Sequence, residues 1–178
     1  MKEIPEWSKV HSILFDFDGV FTDNKVNVSE EGVEHVTCSR ADGLGIAMLK
    51  KFINLNHWDL RLAIVSTEEN PVVRRRADKM GITCYNGVKN KFTFTSAILR
   101  NDKLPDFSGI IYLGNDLNDL SLFETDCYSV APIDAHERIK ATASMVINEK
   151  GGAGFVRAFV EKLLRIDQMS DVDLHRLL

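Results

Sequence analysis

Short apolar runs alternate with longer amphipathic segments along most of the chain. The apolar runs are rich in β-branched and aromatic residues, which predicts buried strands at residues 13–15, 62–65, 82–85, 110–113, 128–131 and 145–147. Helical spacing of apolar residues between them predicts helices at residues 43–52, 72–80, 92–100, 117–124, 135–141 and 155–164. This alternation predicts an α/β fold with three layers, in which helices cover both faces of a parallel sheet.

Residues 25–37 depart from this alternation. They alternate apolar and polar positions on both sides of a Ser-Glu-Glu-Gly turn, which predicts a β-hairpin inserted after the first strand. The apolar positions are Val26, Val28, Val33 and Val36. No linker or repeat divides the chain, so we predict one domain over residues 1–178. We expect its core at about residues 12–164 and a polar tail at residues 166–178.

The second predicted helix has clear limits. Asn70 followed by Pro71 is typical of a helix start, and Gly81 is typical of the left-handed residue that ends a helix. In parallel sheets of this kind, ligands bind beyond the carboxyl ends of the strands. Polar residues that directly follow a strand are therefore the first candidates for chemistry.

Composition excludes several classes of protein. The 178 residues include 22 Lys and Arg against 26 Asp and Glu, a formal charge of −4 without a basic stripe, so we expect no nucleic acid partner. Cys38, Cys84 and Cys127 form no C-x-x-C pair, which argues against a disulfide framework and a zinc site. The chain has neither an apolar leader nor a run of membrane-spanning length, which predicts a cytoplasmic protein that does not enter membranes.

Asp16 and Asp18 directly follow the first predicted strand, and Gly19 after them allows a sharp turn. Side chains two residues apart on a strand share a face, so the two carboxylates repel unless a cation or a proton lies between them. Magnesium bound through oxygen fits this arrangement. Taken alone, however, an Asp-x-Asp pair also fits a solvated acidic turn.

Residues 15–23, F-D-F-D-G-V-F-T-D, resemble the first motif of the haloacid dehalogenase superfamily of phosphatases. Three further matches follow in that family's order: Ser66 after the second predicted strand, Lys91, and the run G-N-D-L-N-D at residues 114–119. Singly, Ser66 also fits a turn, Lys91 a solvated lysine and Asp119 an ordinary helix-start acid. Their conjunction favours the family, and the resemblance implies its Rossmann-like fold.

The resemblance implies a magnesium-dependent phosphomonoesterase. Asp16 would be the nucleophile that forms an aspartyl-phosphate, and Asp18 the general acid and base. Ser66 and Lys91 would bind the phosphoryl group. Asp16 and the backbone carbonyl of Asp18 would be magnesium ligands.

The fourth motif departs from the family pattern, because Asn115 stands where an aspartate is usual. Either Asn115 or the neighbouring Asp116 would then bind the metal, with Asp119 hydrogen-bonded behind them. The same departure leaves a second hypothesis open. The chain would then be a catalytically silent oligomerisation or regulatory domain, like the phosphatase-like domains attached to sialic acid cytidylyltransferases.

Two further segments narrow the resemblance to one branch. R-A-D-G-L-G-I at residues 40–46 and G-G-A-G-F-V-R at residues 151–157, with the early hairpin and no large cap domain, resemble the 3-deoxy-D-manno-octulosonate (KDO) 8-phosphate phosphatase group. The likeness extends over about residues 12–164. It implies a homotetramer in which hairpins associate and neighbouring subunits cover each site, because an uncapped site would otherwise stay wet.

The residues after Ser66 bear on the sugar phosphate. Glu68 at the second position after Ser66 and Lys79 eleven residues beyond it resemble the relatives that act on nine-carbon sugar acids. They favour a nonulosonate 9-phosphate, such as the KDN or N-acetylneuraminate ester, over KDO 8-phosphate. Thr67 departs from both groups of relatives, which usually have glycine directly after this hydroxyl. We expect Thr67, Glu68, Lys79 and Arg40 to bind substrate, although Glu68 and Lys79 also fit helix-end charges.

Overall fold

The computed structural model describes residues 2–104 and 106–178. The strands are β1 (Ser12–Phe15), β2 (Asn27–Val28), β3 (Glu34–His35), β4 (Arg61–Val65), β5 (Thr83–Tyr85), β6 (Ile110–Leu113), β7 (Tyr128–Pro132) and β8 (Met145–Ile147). The helices are α1 (Arg40–Leu55), α2 (Pro71–Met80), α3 (Lys91–Asn101), α4 (Leu120–Phe123), α5 (Glu137–Thr142), α6 (Phe155–Leu164) and α7 (Asp171–Leu177). The predicted strands are confirmed to within one or two residues.

A six-stranded parallel sheet forms in the order β5-β4-β1-β6-β7-β8. The central strand β1 is buried along its whole length and pairs with both β4 and β6, so that Ile13 lies beside Leu62 and Ile111. From β1, the chain adds strands first on one side of the sheet (β4, β5) and then on the other (β6, β7, β8). The carboxyl ends of β1, β4 and β6 therefore open the crevice in which such sheets bind ligands.

Each face of the sheet has its own apolar core. The larger core joins the sheet to α1, α2, α6 and α7, and the smaller one joins it to α3, α4 and α5. Alternation along β6 explains the division, because Ile111 and Leu113 belong to the first core and Tyr112 to the second. The predicted α/β class with helices on both faces is confirmed.

The limits of α2 are as predicted. The Asn70 side chain accepts a hydrogen bond from the Val72 N–H at 3.0 Å, Pro71 occupies the first turn, and Gly81 has a φ of +63°. The predicted hairpin is also confirmed, since β2 and β3 pair as an antiparallel ribbon.

Residues 166–178, predicted as a polar tail, are mostly exposed but form regular secondary structure. A 3-10 turn at Ile166–Gln168 and then α7 fold back on the larger core, in which Leu177 is buried and Leu174 packs at the edge. Four apolar residues spaced along a polar sequence are enough to bury one stripe of this segment.

Two other local features differ from prediction. The predicted helix at 117–124 divides into a 3-10 turn, Leu117–Asp119, and the short α4. An unpredicted 3-10 turn at Trp7–Lys9 places the Trp7 ring against Phe52 and Trp58. Over the described part of the chain, no helix is long and apolar enough to cross a membrane.

Candidate active site

Asp16 directly follows β1 at the centre of the crevice. Its N–H donates to the Leu113 carbonyl at 2.8 Å, which extends the pairing with β6 by one residue. One carboxylate oxygen, Oδ1, accepts the Phe17 N–H at 2.7 Å, and Oδ2 lies 2.8 Å from Lys91 Nζ. Both oxygens of a nearly buried carboxylate are thus fixed in direction.

A tight turn after Asp16 positions Asp18. Gly19 has a φ of +74°, a backbone conformation that side chains disfavour. The Thr22 hydroxyl accepts the Gly19 N–H at 3.2 Å and donates to Asp18 Oδ1 at 3.2 Å. Burial raises the pKa of Asp18, against the effect of the Thr22 hydrogen bond, so its protonated form is favoured relative to a free aspartic acid.

Lys91 begins α3, and its ammonium lies entirely inside the protein between two carboxylates. Nζ is 2.8 Å from Asp16 Oδ2 and 2.6 Å from Asp119 Oδ1. Burial lowers the pKa of Lys91, but both carboxylates raise it and prevail, so the lysine stays charged. Burial and repulsion by Asp119 raise the pKa of Asp16 to about 7, because one cation serves two acids.

Asn115, which follows β6, lies against the first-motif turn. A side chain at Gly19 would overlap it, since an added Cβ there would be 1.9 Å from Asn115 Nδ2. Asn115 Oδ1 is buried and accepts no hydrogen bond from the described protein atoms. Such an oxygen is costly unless it binds a ligand or water, and it suits a metal ligand.

Asp116 is exposed, and its carboxylate accepts a backbone hydrogen bond. Its Oδ1 accepts the Leu117 N–H at 2.7 Å and caps the 3-10 turn. Behind it, buried Asp119 accepts the N–H groups of Asn115 and Asp116 on Oδ2, at 2.8 and 3.3 Å. Asp119 thus joins the fourth motif to Lys91.

Ser66 is buried at the end of β4, and its Oγ accepts the Glu68 N–H at 3.0 Å. The hydroxyl hydrogen remains available for donation. Glu68 is exposed, and its Oε1 accepts the N–H groups of Glu69 and Asn70 at 2.8 and 3.0 Å. Glu68 therefore lies in the loop before the Asn70 cap, and the alternative that it is a first-turn acid of α2 is wrong.

A cleft of about 510 Å³ opens above these residues. Its lining residues are Asp16, Asp18, Asn24, Lys25, Val26, Glu34, Val36, Thr67, Glu68, Asn70, Val72, Asn115, Asp116 and Asn118. Of the predicted site residues, Asp16, Asp18, Thr67, Glu68, Asn115 and Asp116 line the cleft, whereas Ser66, Lys91 and Asp119 are buried and are not among its lining residues.

Two expected substrate ligands lie elsewhere. Arg40 is exposed at the first residue of α1 and does not line the cleft. Lys79 is exposed in the last turn of α2, about 12 Å along the helix from the end that faces the cleft. Within one chain, neither side chain contributes to the cleft wall.

The hairpin supplies a wall that the motifs did not predict. Lys25 and Glu34 line the cleft, and Glu34 Oε2 accepts a hydrogen bond from Asn70 Nδ2 at 2.7 Å. This bond ties the hairpin to the loop after β4. The only sequence signal for it was the position of the hairpin directly after the first motif.

The glycine-rich segment before α6 supports the first-motif turn from the opposite side. An added Cβ at Gly151 would lie 2.0 Å from the Gly19 carbonyl oxygen, and the Gly152 N–H donates to the Val20 carbonyl at 3.0 Å. Side chains cannot fit between these backbones. The segment therefore packs directly against the first-motif turn.

The donor set fits magnesium. Asp16, the Asp18 backbone and Asn115 offer only oxygen, the element that hard divalent cations prefer. Among residues 2–104 and 106–178, no group of three His, Cys, Asp or Glu side chains is placed to hold a metal ion. A backbone carbonyl and the Asn115 amide would therefore have to complete the set.

Comparisons with known proteins agree with this geometry. A sequence model described as haloacid dehalogenase-like hydrolase matches residues 69–159, just over half of the chain. The 3-deoxy-D-manno-octulosonate 8-phosphate phosphatase of Escherichia coli (strain B / BL21-DE3) is 30% identical over 156 residues, 87% of this chain and 79% of that protein. The N-acylneuraminate cytidylyltransferase A of Danio rerio is 28% identical over 92% of this chain but only 36% of that protein.

A crystal structure has the same fold. The 3-deoxy-D-manno-octulosonate 8-phosphate phosphatase of Moraxella catarrhalis, in complex with magnesium, phosphate and KDO, superposes with a TM-score of 0.83. The match covers 96% of this chain and 94% of that one at 24% identity.

Proposed function

Because the chain belongs to the haloacid dehalogenase-like hydrolase family, we propose that it is a magnesium-dependent phosphomonoesterase acting on an acidic 2-keto-3-deoxy sugar. The observation that carries the proposal is the buried Lys91 ammonium, held 2.8 Å from Asp16 at the floor of a polar cleft. A structural ion pair does not require an open cleft above it. A phosphoryl site requires both a nucleophile and a cation at the floor of such a cleft.

The residues supply a two-step reaction. Asp16 attacks phosphorus, the bond between phosphorus and the sugar oxygen breaks, and Asp18 gives its proton to that oxygen. Asp18 then takes a proton from water as the water oxygen attacks the aspartyl-phosphate, which releases inorganic phosphate and restores Asp16. Lys91 and the Ser66 hydroxyl donate hydrogen bonds to the phosphoryl oxygens throughout.

Magnesium would be held by the Asp16 carboxylate, the Asp18 carbonyl and the Asn115 amide oxygen. When bound, it neutralises charge between the nucleophile and the phosphate. Asn115 is favoured over Asp116 as the ligand, because Asn115 Oδ1 is buried without a partner among the described protein atoms, whereas Asp116 caps a turn at the surface.

This ligand assignment predicts different magnesium affinities for three variants at two positions. Asn115→Ala should weaken magnesium binding at least 10-fold by calorimetry, and Asn115→Asp should keep or tighten it. Asp116→Ala should bind magnesium within about threefold of the wild type, since only a cap is lost. A large loss with Asp116→Ala and none with Asn115→Ala would move the ligand to Asp116.

The cleft suits one carbohydrate acid. Its carboxylate side chains can accept hydrogen bonds from sugar hydroxyls, and its amide side chains can both accept and donate them. Lys25 is the one cationic side chain among the described lining residues. We infer that Lys25 faces the substrate carboxylate. Because Lys79 lies outside the cleft, the nine-carbon preference now depends on Glu68 alone, and both KDO 8-phosphate and nonulosonate 9-phosphates are candidates.

Phosphate release tests the activity directly. The purified chain should release phosphate from KDO 8-phosphate or from KDN and N-acetylneuraminate 9-phosphates, and EDTA should stop the release. A neutral hexose 6-phosphate serves as the comparison substrate. Absence of turnover on every ester, with magnesium present, would contradict the proposal.

The rival function is a silent regulatory or oligomerisation domain. Its support is the cytidylyltransferase relative, of which this chain matches only a part, together with Asn115 in the fourth motif. Against it stand the intact Asp16, Asp18, Ser66 and Lys91 at the cleft. The two functions separate in the assay above, because a silent domain releases no phosphate from any ester.

We also propose that the chain forms a homotetramer in the cytoplasm through its hairpins. Val26, Val28 and Val33 are 52%, 59% and 52% exposed in one chain, which leaves an apolar ribbon for a second copy to cover. Val36, by contrast, packs on its own core. A covering subunit would also exclude water from the cleft.

Val28→Lys should therefore dissociate the assembly, because a charge buried at the interface is costly. Sedimentation should show a fall in mass, and activity should fall with it. Val172→Lys is the matched control, since Val172 is 63% exposed on α7, away from the hairpin. A fully active wild-type monomer would contradict the shared-site arrangement.

A further inference from the structure

Tyr112 is a buried polar residue that the reaction above does not use. It lies in β6, fully enclosed, with its ring edge-to-face against Phe123 at 6.0 Å between ring centroids. A tyrosine hydroxyl in a core needs a partner. Its partner here is Asp119, whose Oδ1 accepts the hydroxyl at 2.5 Å.

With this hydroxyl, the Asp119 carboxylate has four donors. Oδ1 receives both the Tyr112 hydroxyl and the Lys91 ammonium, at 2.5 and 2.6 Å, and Oδ2 receives the N–H groups of Asn115 and Asp116. Space around it is closed as well, since an added Cβ at Gly114 would lie 2.5 Å from Asp119 Oδ2. The carboxylate has no other orientation that keeps these four bonds.

The Tyr112 ring also lies beneath the lysine ammonium. Lys91 Nζ lies 5.9 Å from the centroid of the Tyr112 ring, within range of a cation–π contact. The Tyr112 ring thus lies on one side of the Lys91 ammonium. Its hydroxyl orients Asp119, the carboxylate that binds the same ammonium. Both contacts limit where Nζ can point.

We propose that Tyr112 is a positioning residue for phosphoryl transfer, whose hydroxyl locks Asp119 so that Lys91 points at Asp16. This inference depends on the proposed phosphatase function. Lys91 must meet phosphoryl oxygens most closely when charge builds up on them, so a small error in its direction affects the transition state more than the bound ester. Burial and the neighbouring Asp119 raise the pKa of Tyr112, which keeps it a donor at neutral pH.

Tyr112→Phe tests the hydroxyl and leaves the ring, its packing and the cation–π contact in place. We expect kcat to fall about 10-fold, the loss of one hydrogen bond to a charged group, with KM changed less than twofold. Orthovanadate, which adopts the five-coordinate geometry of phosphoryl transfer, should bind about 10-fold more weakly. Inorganic phosphate should bind within twofold of the wild type.

Tyr128→Phe is the matched control. It removes another buried tyrosine hydroxyl, which donates to the Lys2 carbonyl at 3.0 Å, far from the cleft floor. This variant should lose comparable stability in urea unfolding and keep wild-type kcat and vanadate binding.

Three results would overturn the positioning role: wild-type kcat in Tyr112→Phe, equal losses in the two variants, or equal weakening of phosphate and vanadate. If the wild type is active and one of these three results is found, only the role of Tyr112 is contradicted. A wild type that neither turns over esters nor binds vanadate contradicts the phosphatase itself and, with it, this role.

Discussion

Asp16→Asn is expected to reduce phosphate release by about 10⁴-fold or more, because an amide oxygen cannot form the aspartyl-phosphate. The variant should still fold. Asp16 and Asp119 share one ammonium, and after the substitution Lys91 keeps a full ion pair with Asp119 at 2.6 Å. Release of phosphate from KDO 8-phosphate and the two 9-phosphates, measured beside Asp59→Asn, checks the result.

Stability should change in the opposite direction from activity. The pKa of Asp16 is raised to about 7 in the fold from its ordinary value of 3.8. Between these pH values the folded state binds more protons than the unfolded one, so this group's contribution to the free energy of unfolding falls as pH rises. Asparagine does not ionise.

In EDTA, Asp16→Asn should therefore gain stability relative to the wild type as pH rises from about 4 to 7. Urea unfolding at several pH values measures the difference. Asp59→Asn, an exposed carboxylate before β4, should show no such trend. Retained turnover in Asp16→Asn would contradict the covalent route, and a pH-independent stability difference would contradict the raised pKa of Asp16.

The sequence predicts the sheet well because its signals are local. Every central strand is an apolar run that fits burial on both faces, and Asn70-Pro71 and Gly81 set the ends of α2 through their own backbone preferences. Where the outcome depends on tertiary contacts, prediction fails. Leu177 has few apolar neighbours in sequence, and only the folded core provides the surface that buries it.

In the site, too, features with a local sequence signal are predicted and features that depend on tertiary contacts are not. The family resemblance predicts that Asp16, Lys91 and Asp119 belong to one site, although only Asp16 and the fourth motif follow a strand and Lys91 begins a helix. Lys79 shows the limit of spacing arguments, because α2 carries it away from the cleft. Tyr112 is recognisable only in the structure, since an aromatic residue inside an apolar strand is ordinarily interpreted as core packing.

Lys91→Met should damage both activity and stability. It keeps the length of the side chain but removes the ammonium, so Asp16 and Asp119 would face each other without a cation. We expect kcat to fall by about 10³-fold and unfolding to require about 3–5 kcal/mol less at pH 7, typical of breaking a buried pair. Phosphate release and urea unfolding measure the two effects. Lys89→Met, an exposed lysine two residues earlier, is the matched control.

The stability deficit of Lys91→Met should shrink as pH falls. Losing the cation raises the pKa of Asp16 in the fold further above its unfolded value, so this carboxyl gains a proton as the solution is acidified and its repulsion of Asp119 disappears. Adding Asp16→Asn should restore much of the stability at pH 7, since only Asp119 then stays charged, with Tyr112 and two N–H groups as donors. Activity should not return in the double variant. If Lys91→Met were as stable as Lys89→Met at pH 8, or if Asp16→Asn failed to compensate, the two carboxylates would not be held by a shared lysine.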